Sequence, residues 1–451
     1  MISPVSAANP GNWVTDFTLY NLGSNSAGNK ITITRYLQFA NGTVDTTGTV
    51  VASPTIALDG SYYYNPADPA NNFPSFSGSI MISAEEGLAG TVTMANGLTG
   101  TKYASDAYSA VSNPYTTMIL PIIMSHAGGG GVWNTRMSIQ NAGPSGNANV
   151  TVTYVGANAP SPQTISGLPI NQMAVLDQSD LSVTNFNGSA IVTSTTNDLA
   201  VVVEEYKSTG GVEIAYNGIP QTDAAATLLM PGYIDEGAWA TDFTVVNTTN
   251  TSTTATVTFS GSSASLSGPI GGNGSAYLNA HTGMPSGWSG TFPSGYYGSA
   301  TVTAGNASDK LVVAYNIANS LGSANSNEGY VGFPATGSTS VVVPLIENMY
   351  STGWVTTFTA QVVNGGSANL TLSYSGNLQP AAICQPSCPP VTINGSHTFN
   401  QANDGQVPTG FLGGVTITST SPIVVIADQN NSTFSAYKYG DAAAGFSGIN
   451  R

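Results

Sequence analysis

Residues 13–21 read WVTDFTLYN, and similar stretches return at residues 133–141 (WNTRMSIQN), 239–247 (WATDFTVVN) and 354–360 (WVTTFTA). In the first copy Trp13, Phe17 and Leu19 share one parity along the chain, whereas Asp16 has the other. A period of two with the apolar residues on one side is typical of a β-strand that buries one face. We therefore predict that each copy forms a strand of the same kind.

Further landmarks follow each of these stretches in a fixed order. In the second copy they are VTVTY at residues 150–154, GSAIV at 188–192, LAVVV at 199–203 and AYNG at 215–218. A short apolar segment with proline opens each copy, at Pro4, Pro121, Pro231 and Pro344. The tryptophans of successive copies lie 120, 106 and 115 residues apart. This order predicts four tandem domains, at residues 1–117, 118–227, 228–340 and 341–451.

Each domain is expected to be all-β, because strand-length segments alternate with clusters of Gly, Pro, Asn and Ser and no convincing helix is present. Six to eight strands in about 110 residues predict a two-sheet sandwich with Greek-key connections. The core is predicted to include the tryptophan of each copy and the apolar residue four positions later: Trp13, Phe17, Trp133, Met137, Trp239, Phe243, Trp354 and Phe358. The run at residues 199–203 has no polar face, so either loops or a neighbouring domain or subunit cover its second side.

The order of these landmarks resembles that of the tandem immunoglobulin-like β-sandwich repeat proteins of bacterial cell surfaces and extracellular fibres. The resemblance covers the whole chain as four copies. It implies immunoglobulin-like domains in a secreted or surface protein, and such domains serve as stalks, lattice units, fibre subunits and adhesins alike. The resemblance supplies no catalytic residue.

The composition restricts the partners. Charged residues make up 7% of the chain, with 8 Lys and Arg against 23 Asp and Glu, so the net charge is −15. Nucleic acid is excluded as an expected partner because neutralising phosphates requires clustered basic residues. Binding to anionic membrane is disfavoured for the same reason, and no apolar stretch approaches the length of a membrane span. A surface of uncharged hydrogen-bonding groups suits contacts between copies of the chain, since few charges would be desolvated.

Two cysteines, Cys384 and Cys388, flank a short loop with a proline. We predict a disulfide, which implies an oxidising compartment, because two thiolates alone make a poor zinc site. The first residues have neither a basic nor an apolar stretch of a leader, and we favour a leader already removed.

Residues with catalytic potential are scattered. The three histidines fall in different domains: His126, His281 and His397. Adjacent carboxylates occur at residues 85–86 and 204–205, but neighbours on a strand point to opposite faces and do not flank one bond. We expect no catalytic residue, no cofactor and no metal site.

One repeat position varies in charge, with Asp16 and Asp242 in two copies but Arg136 and Thr357 in the others. Such variation is typical of a solvent-facing site and argues against a repeated calcium site. Trp288 breaks the repeat pattern and is the candidate for an exposed contact.

We interpret the chain as a non-enzymatic extracellular structural protein, a subunit of a self-assembling filament or surface layer. Its partners would be copies of itself, joined head to tail so that domain four meets domain one. The candidate assembly segments are the chain ends: Met1, Ile2 and Pro4, and Ile449 and Arg451. In the simpler alternative each end is held by its own domain. An alternative function is a surface adhesin that binds protein or glycan through loops at the sandwich ends.

Overall fold

The structure is a computed structural model that describes residues 2–5, 13–39, 44–45, 47–65, 77–96, 104–128, 132–209, 211–319, 324–351, 353–431, 440–441 and 443–451. Within these residues the chain is all-β, as predicted, and no α-helix is present. Short 3-10 turns lie at Gln178–Asp180, Gln221–Asp223 and Ala382–Cys384.

The strands fall into four successive segments. Segment 1 contains β1 (Ile2–Val5), β2 (Trp13–Asn21), β3 (Asn29–Leu37), β4 (Thr49–Ala52), β5 (Thr55–Ile56), β6 (Ser61–Tyr64), β7 (Gly78–Ala84), β8 (Leu88–Asn96) and β9 (Ala104–Ser109). Segment 2 contains β10 (Thr117–Ser125), β11 (Trp133–Asn141), β12 (Ala148–Val155), β13 (Gln163–Leu168), β14 (Met173–Asp177), β15 (Phe186–Ser194), β16 (Leu199–Lys207), β17 (Glu213–Asn217) and β18 (Ile219–Pro220).

Segment 3 contains β19 (Thr227–Glu236), β20 (Trp239–Asn247), β21 (Thr253–Phe259), β22 (Ser265–Ile270), β23 (Ser275–Asn279), β24 (Ser289–Gly290), β25 (Tyr296–Ala304), β26 (Leu311–Asn319), β27 (Ala324–Val331) and β28 (Phe333–Pro334). Segment 4 contains β29 (Ser338–Tyr350), β30 (Trp354–Val362), β31 (Ser367–Gly376), β32 (Val391–Asn394), β33 (Ser396–Asn400), β34 (Phe411–Asn431), β35 (Gly440–Asp441), β36 (Ala443–Ser447) and β37 (Ile449–Asn450).

Each segment has two antiparallel sheets in an equivalent order. The opening sheet contains the first strand of the segment, and the tryptophan sheet contains the strand that begins with tryptophan. The opening sheets are β4-β3-β7-β1, β13-β12-β15-β10-β18, β24-β22-β21-β25-β19-β28 and β32-β31-β34-β29-β37. The tryptophan sheets are β6-β2-β8-β9, β14-β11-β16-β17, β23-β20-β26-β27 and β33-β30-β34-β36. A pairing of β19 with β20 joins the two sheets of segment 3, and β34 runs through both sheets of segment 4.

Apolar side chains fill the space between the two sheets of a segment, as in a β-sandwich. In segment 2, Leu120 and Val192 of the opening sheet pack with Met137 and Val201 of the tryptophan sheet, and all four are fully buried. Strands β10, β19 and β29 begin close to the predicted domain boundaries. The division into four domains remains a prediction.

The proline of each later opening strand lies at a break in the pairing. The registers with the neighbouring strand are interrupted at Pro121, Pro231 and Pro344, between residues 120 and 123, 230 and 233, and 343 and 346. Proline has no N–H for a ladder hydrogen bond, so a bulge accommodates it.

The outer face of each opening sheet packs on the outer face of the next segment's tryptophan sheet. Between segments 2 and 3, Ile119 of β10 clusters with Val246 of β20 and Val312 of β26. Between segments 1 and 2, β1 of the opening sheet contacts β11 and β16 of the tryptophan sheet, and Val202 of β16 belongs to an apolar cluster of segment 1. The outer side of the run at residues 199–203 is therefore covered by a neighbouring segment.

The same contact recurs between segments 3 and 4, and again between segments 4 and 1. Gln361 of β30 donates a hydrogen bond of 3.3 Å to the carbonyl of Ala300 in β25. The hydroxyl groups of Tyr20 in β2 and Thr416 in β34 are 3.1 Å apart. Segment 4 thus contacts segment 1 within one chain, and the four segments form a closed cycle.

The edge strands β9, β17, β27 and β36 of the tryptophan sheets meet where the four segments converge. Asp106 of β9 is fully buried, and its carboxylate accepts hydrogen bonds from the backbone of Ala215 in β17 and, at 3.1 Å, of Gly445 in β36. At Gly329 of β27 a Cβ would overlap the backbone of Ala215. Small residues at these positions allow the strands to approach one another.

Candidate functional site

The predicted core residues separate into two groups. The residues four positions after the tryptophans have at most 2% of their surface exposed: Phe17, Met137, Phe243 and Phe358. The tryptophans are only partly buried: Trp133, Trp239 and Trp354. The side chain of Trp13 lies outside the described residues. Each of these three tryptophans begins its strand, so its ring packs at the end of the core rather than inside it.

Trp288 is not the exposed contact that the sequence predicted. It is 8% exposed and packs in the core of segment 3. Gly268 on β22 makes this possible, because a Cβ there would overlap the indole ring. The irregular sequence around Trp288 therefore reflects local packing.

The predicted disulfide between Cys384 and Cys388 is present, and both residues are buried. The histidines lie apart in different segments: His126 faces the carbonyl of Val183 at 3.1 Å, and His397 packs edge-on against Phe399. Among the described residues there is no group of three or more His, Cys, Asp or Glu able to hold a metal ion. In the same part of the chain no helix has the length and apolar character needed to cross a membrane.

The candidate assembly segments at the chain ends are paired within the chain. Strand β1, which contains Ile2 and Pro4, pairs with β7, and Ile449 pairs with Val342 of β29. Met1 lies outside the described residues. Arg451 forms an ion pair of 2.8 Å with Asp59 of segment 1. The sequence predicted a contact between domain four of one copy and domain one of the next, whereas in the structure segments 4 and 1 contact each other within one chain.

A buried ionic cluster lies on the outer face of the tryptophan sheet of segment 2. Arg136 is 4% exposed, and its Nη1 is 2.6 Å from Glu204 and 3.8 Å from Glu213, while its Nε is 3.4 Å from Asp177. The guanidinium carbon lies 4.9 Å from the ring centre of Tyr206. Burial lowers the pKa of Arg136, but the three carboxylates outweigh this effect and hold the pKa above its usual value.

The position of Arg136 is not solvent-facing in any of the copies. Thr357 is buried, and Asp16 and Asp242 are partly buried. The prediction from sequence variation was wrong because a neighbouring segment covers this side of each tryptophan sheet. The charge differences instead mark four different contacts between segments.

Between segments 4 and 1 two carboxyl groups face each other. Glu347 of β29 is 7% exposed and accepts a hydrogen bond from Gln429, while Asp16 accepts one of 3.0 Å from Tyr63. Burial raises the pKa of Glu347 to about 8, and repulsion from Asp16 adds to the effect. Burial likewise raises the pKa of Asp16 to about 7.

A similar pair joins segments 2 and 3. Asn316 donates from its Nδ2 to Glu205 at 3.0 Å and to Asp242 at 3.4 Å, so one amide links carboxyl groups of both segments. Burial and repulsion from Asp242 raise the pKa of Glu205, and burial raises that of Asp242 to about 7. Glu204 and Glu205 therefore have separate partners, as opposite strand faces require.

A cavity of about 390 Å³ lies between segments 3 and 4. Trp239 and Tyr297 contribute aromatic rings to its wall, and Glu236, Glu328 and Asp428 contribute carboxyl groups. Tyr297 is 53% exposed, which places it where the cavity meets solvent. No pattern in the sequence predicted this site, because its residues come from strands far apart in the chain.

No model of a known protein family matches this chain, and a search among curated proteins finds no related sequence.

Proposed function

We propose that the chain is a non-enzymatic extracellular structural protein that assembles with copies of itself into a filament or surface layer. Its four segments would be immunoglobulin-like Greek-key β-sandwich domains. The observation that carries the proposal is the closed cycle of sheet-on-sheet contacts, which holds the segments together as one block. The disulfide and the scarcity of charged residues support an extracellular location.

The sequence favours head-to-tail assembly, in which domain four of one copy meets domain one of the next. In the closed cycle these two faces are occupied by each other, so association between closed copies needs another surface. We propose the free edges of the opening sheets. Within the described residues, these sheets end at β4, β13, β24 and β32. An edge strand offers unpaired backbone groups to a strand of another copy.

Negative-stain microscopy of the purified chain tests the proposal. Ordered polymers support it, and single particles under all conditions oppose it. Val50 of β4 is 59% exposed on such an edge, and Val50→Lys should disrupt assembly because a charged edge opposes strand addition. Thr153→Lys is the matched control, since Thr153 is exposed on β12, which has partners on both sides. Polymers that survive Val50→Lys would exclude this edge.

A surface adhesin is the second candidate. Ile383 lies directly before the disulfide-bonded Cys384 and is 68% exposed, so it offers an apolar side chain at a position that the disulfide holds in place. Single particles that bind a protein or glycan surface, and lose that binding with Ile383→Ser, would favour the adhesin.

A further inference from the structure

The cavity between segments 3 and 4 combines aromatic rings with carboxyl groups. None of the described residues that line it is basic. Glu236 and Tyr297 are exposed, so a small molecule or a side chain can enter from solvent. Its volume is within the range of small-ligand pockets. An acidic, aromatic wall favours a cation and disfavours an anion.

In segment 2 the position equivalent to this cavity is filled by a side chain of the chain itself, Arg136. Strand register aligns Thr357 with Arg136, because Thr357 pairs with Asp428 just as Arg136 pairs with Glu204. Across the other neighbouring strand, Thr357 pairs with Asn400 and Arg136 with Asp177. In segment 2 a guanidinium group therefore occupies the position that is equivalent to Thr357. In segment 4 the cavity lies beside Thr357.

The aromatic wall has a similar precedent within the chain. In segment 2 the ammonium of Lys207 lies 4.8 Å from the ring centre of Trp133, so a tryptophan of this chain already faces a cation. The ring of Tyr206 faces the guanidinium of Arg136. Segment 2 therefore surrounds its own cations with the groups that line the cavity, namely carboxylates and aromatic faces.

We propose that this cavity binds a guanidinium group from outside the chain, carried either by a small molecule or by an arginine side chain of a peptide. Asp428 would accept hydrogen bonds from the guanidinium, as Glu204 does from Arg136, and the ring of Tyr297 would stack on its plane. This site is separate from the edges proposed for self-assembly and does not depend on that proposal.

Protonation provides a direct signature. Burial raises the pKa of Asp428 to about 7, so this carboxyl group is largely neutral at pH 5.5 and ionised at pH 8. The other titratable groups at the cavity are Glu236 of β19, Tyr297 of β25, and Glu328 and Tyr330 of β27. A cation binds the ionised form, so affinity should increase about thirtyfold from pH 5.5 to pH 8. A neutral sugar would show no such increase.

Isothermal titration calorimetry on the full chain tests the proposal with two probes, agmatine and a blocked Gly-Arg-Gly peptide. Binding of both, or of either one, supports guanidinium recognition and identifies the source. Asp428→Asn should reduce the affinity about tenfold and remove its pH dependence. Tyr297→Phe should retain the affinity, whereas Tyr297→Leu should reduce it about threefold.

Glu85→Gln is the matched control, because Glu85 is an exposed carboxylate in segment 1. The affinity of this variant for both probes should equal that of the wild type. Two results would overturn the proposal: no binding of either probe at millimolar concentration at pH 8, or equal affinity in the wild type and Asp428→Asn.

Discussion

Replacing Glu347 by glutamine should make the protein less sensitive to alkaline pH. Glu347 is buried between segments 4 and 1, with Asp16 facing it and Gln429 donating to its carboxyl group. Glutamine keeps an oxygen that can accept this hydrogen bond but does not ionise. The backbone N–H of residue 347 donates to Thr356 at 2.9 Å, and the substitution leaves this bond in place.

The direction of the pH effect on stability follows from the raised pKa of Glu347. In the folded chain the pKa of Glu347 is about 8, against a usual value of 4.5, so the folded state binds the proton more tightly than the unfolded state. Its contribution to stability is complete below pH 4.5 and is lost as the pH rises to 8. If this group titrated alone, the difference would be about 5 kcal/mol. Because Asp16 titrates beside it, we expect about 2 kcal/mol from the single substitution.

Chemical denaturation at pH 5 and pH 8 measures this effect. At pH 5 the variant should lie within about 1 kcal/mol of the wild type, because folded Glu347 is then protonated and resembles glutamine. At pH 8 the variant should be the more stable of the two. Glu85→Gln, at an exposed carboxylate, should leave the pH profile unchanged. A variant that loses stability equally at both pH values, or keeps the pH sensitivity of the wild type, would refute the reasoning.

Three further substitutions test the packing. Arg136→Met leaves its carboxylate neighbours buried without a cation and should destabilise the chain by about 3–5 kcal/mol at pH 7, measured by denaturant unfolding. Trp288→Ala removes a buried indole and should cost about 3–5 kcal/mol, whereas Trp133→Ala, at a partly buried ring, should cost clearly less; equal losses would contradict the burial. Because of the disulfide between Cys384 and Cys388, the intact mass of the unreduced chain should be about 2 Da lower than that of the reduced chain. Two thiols that are alkylated without reductant would contradict this disulfide.

The interior of each segment could be predicted from the sequence, because a period of two directly records which side of a strand is buried. Phe17 and Phe243 lie in their cores for this reason. The disulfide could also be predicted from the sequence, since the cysteines are separated by only three residues. The partial exposure of the tryptophans could not be predicted from the sequence. Parity identifies the face of a strand on which a residue lies, but not how far along the sandwich it lies.

The contacts between segments could not be predicted in the same way. Their residues lie on the outer faces, where the four copies differ because each faces a different neighbour. Arg136 and Asp242 occupy equivalent positions and look like ordinary surface variation, yet one lies in an ionic cluster and the other beside Glu205. The apolar outer position of Val202 was the one available signal, and it admitted two interpretations.

If the cycle opens, the two faces that close it within one chain become available for contacts between chains, in addition to the sheet edges. The contact of segment 4 with segment 1 joins segments that are not consecutive in sequence, so it can open while every other contact remains. Glu347 and Asp16 are the carboxyl groups at that contact, and both titrate near neutral pH. Alkaline pH should therefore weaken this contact and also the contact between segments 2 and 3, where the pKa values of Glu205 and Asp242 are raised, whereas the guanidinium of Arg136 lies at the contact between segments 1 and 2. An opened chain would present the two complementary faces at its ends, and such a heterologous pair generates rings or filaments. Light scattering at pH 9 should then show growth in the wild type and less growth in Glu347→Gln, and equal growth would separate assembly from the opening of the cycle.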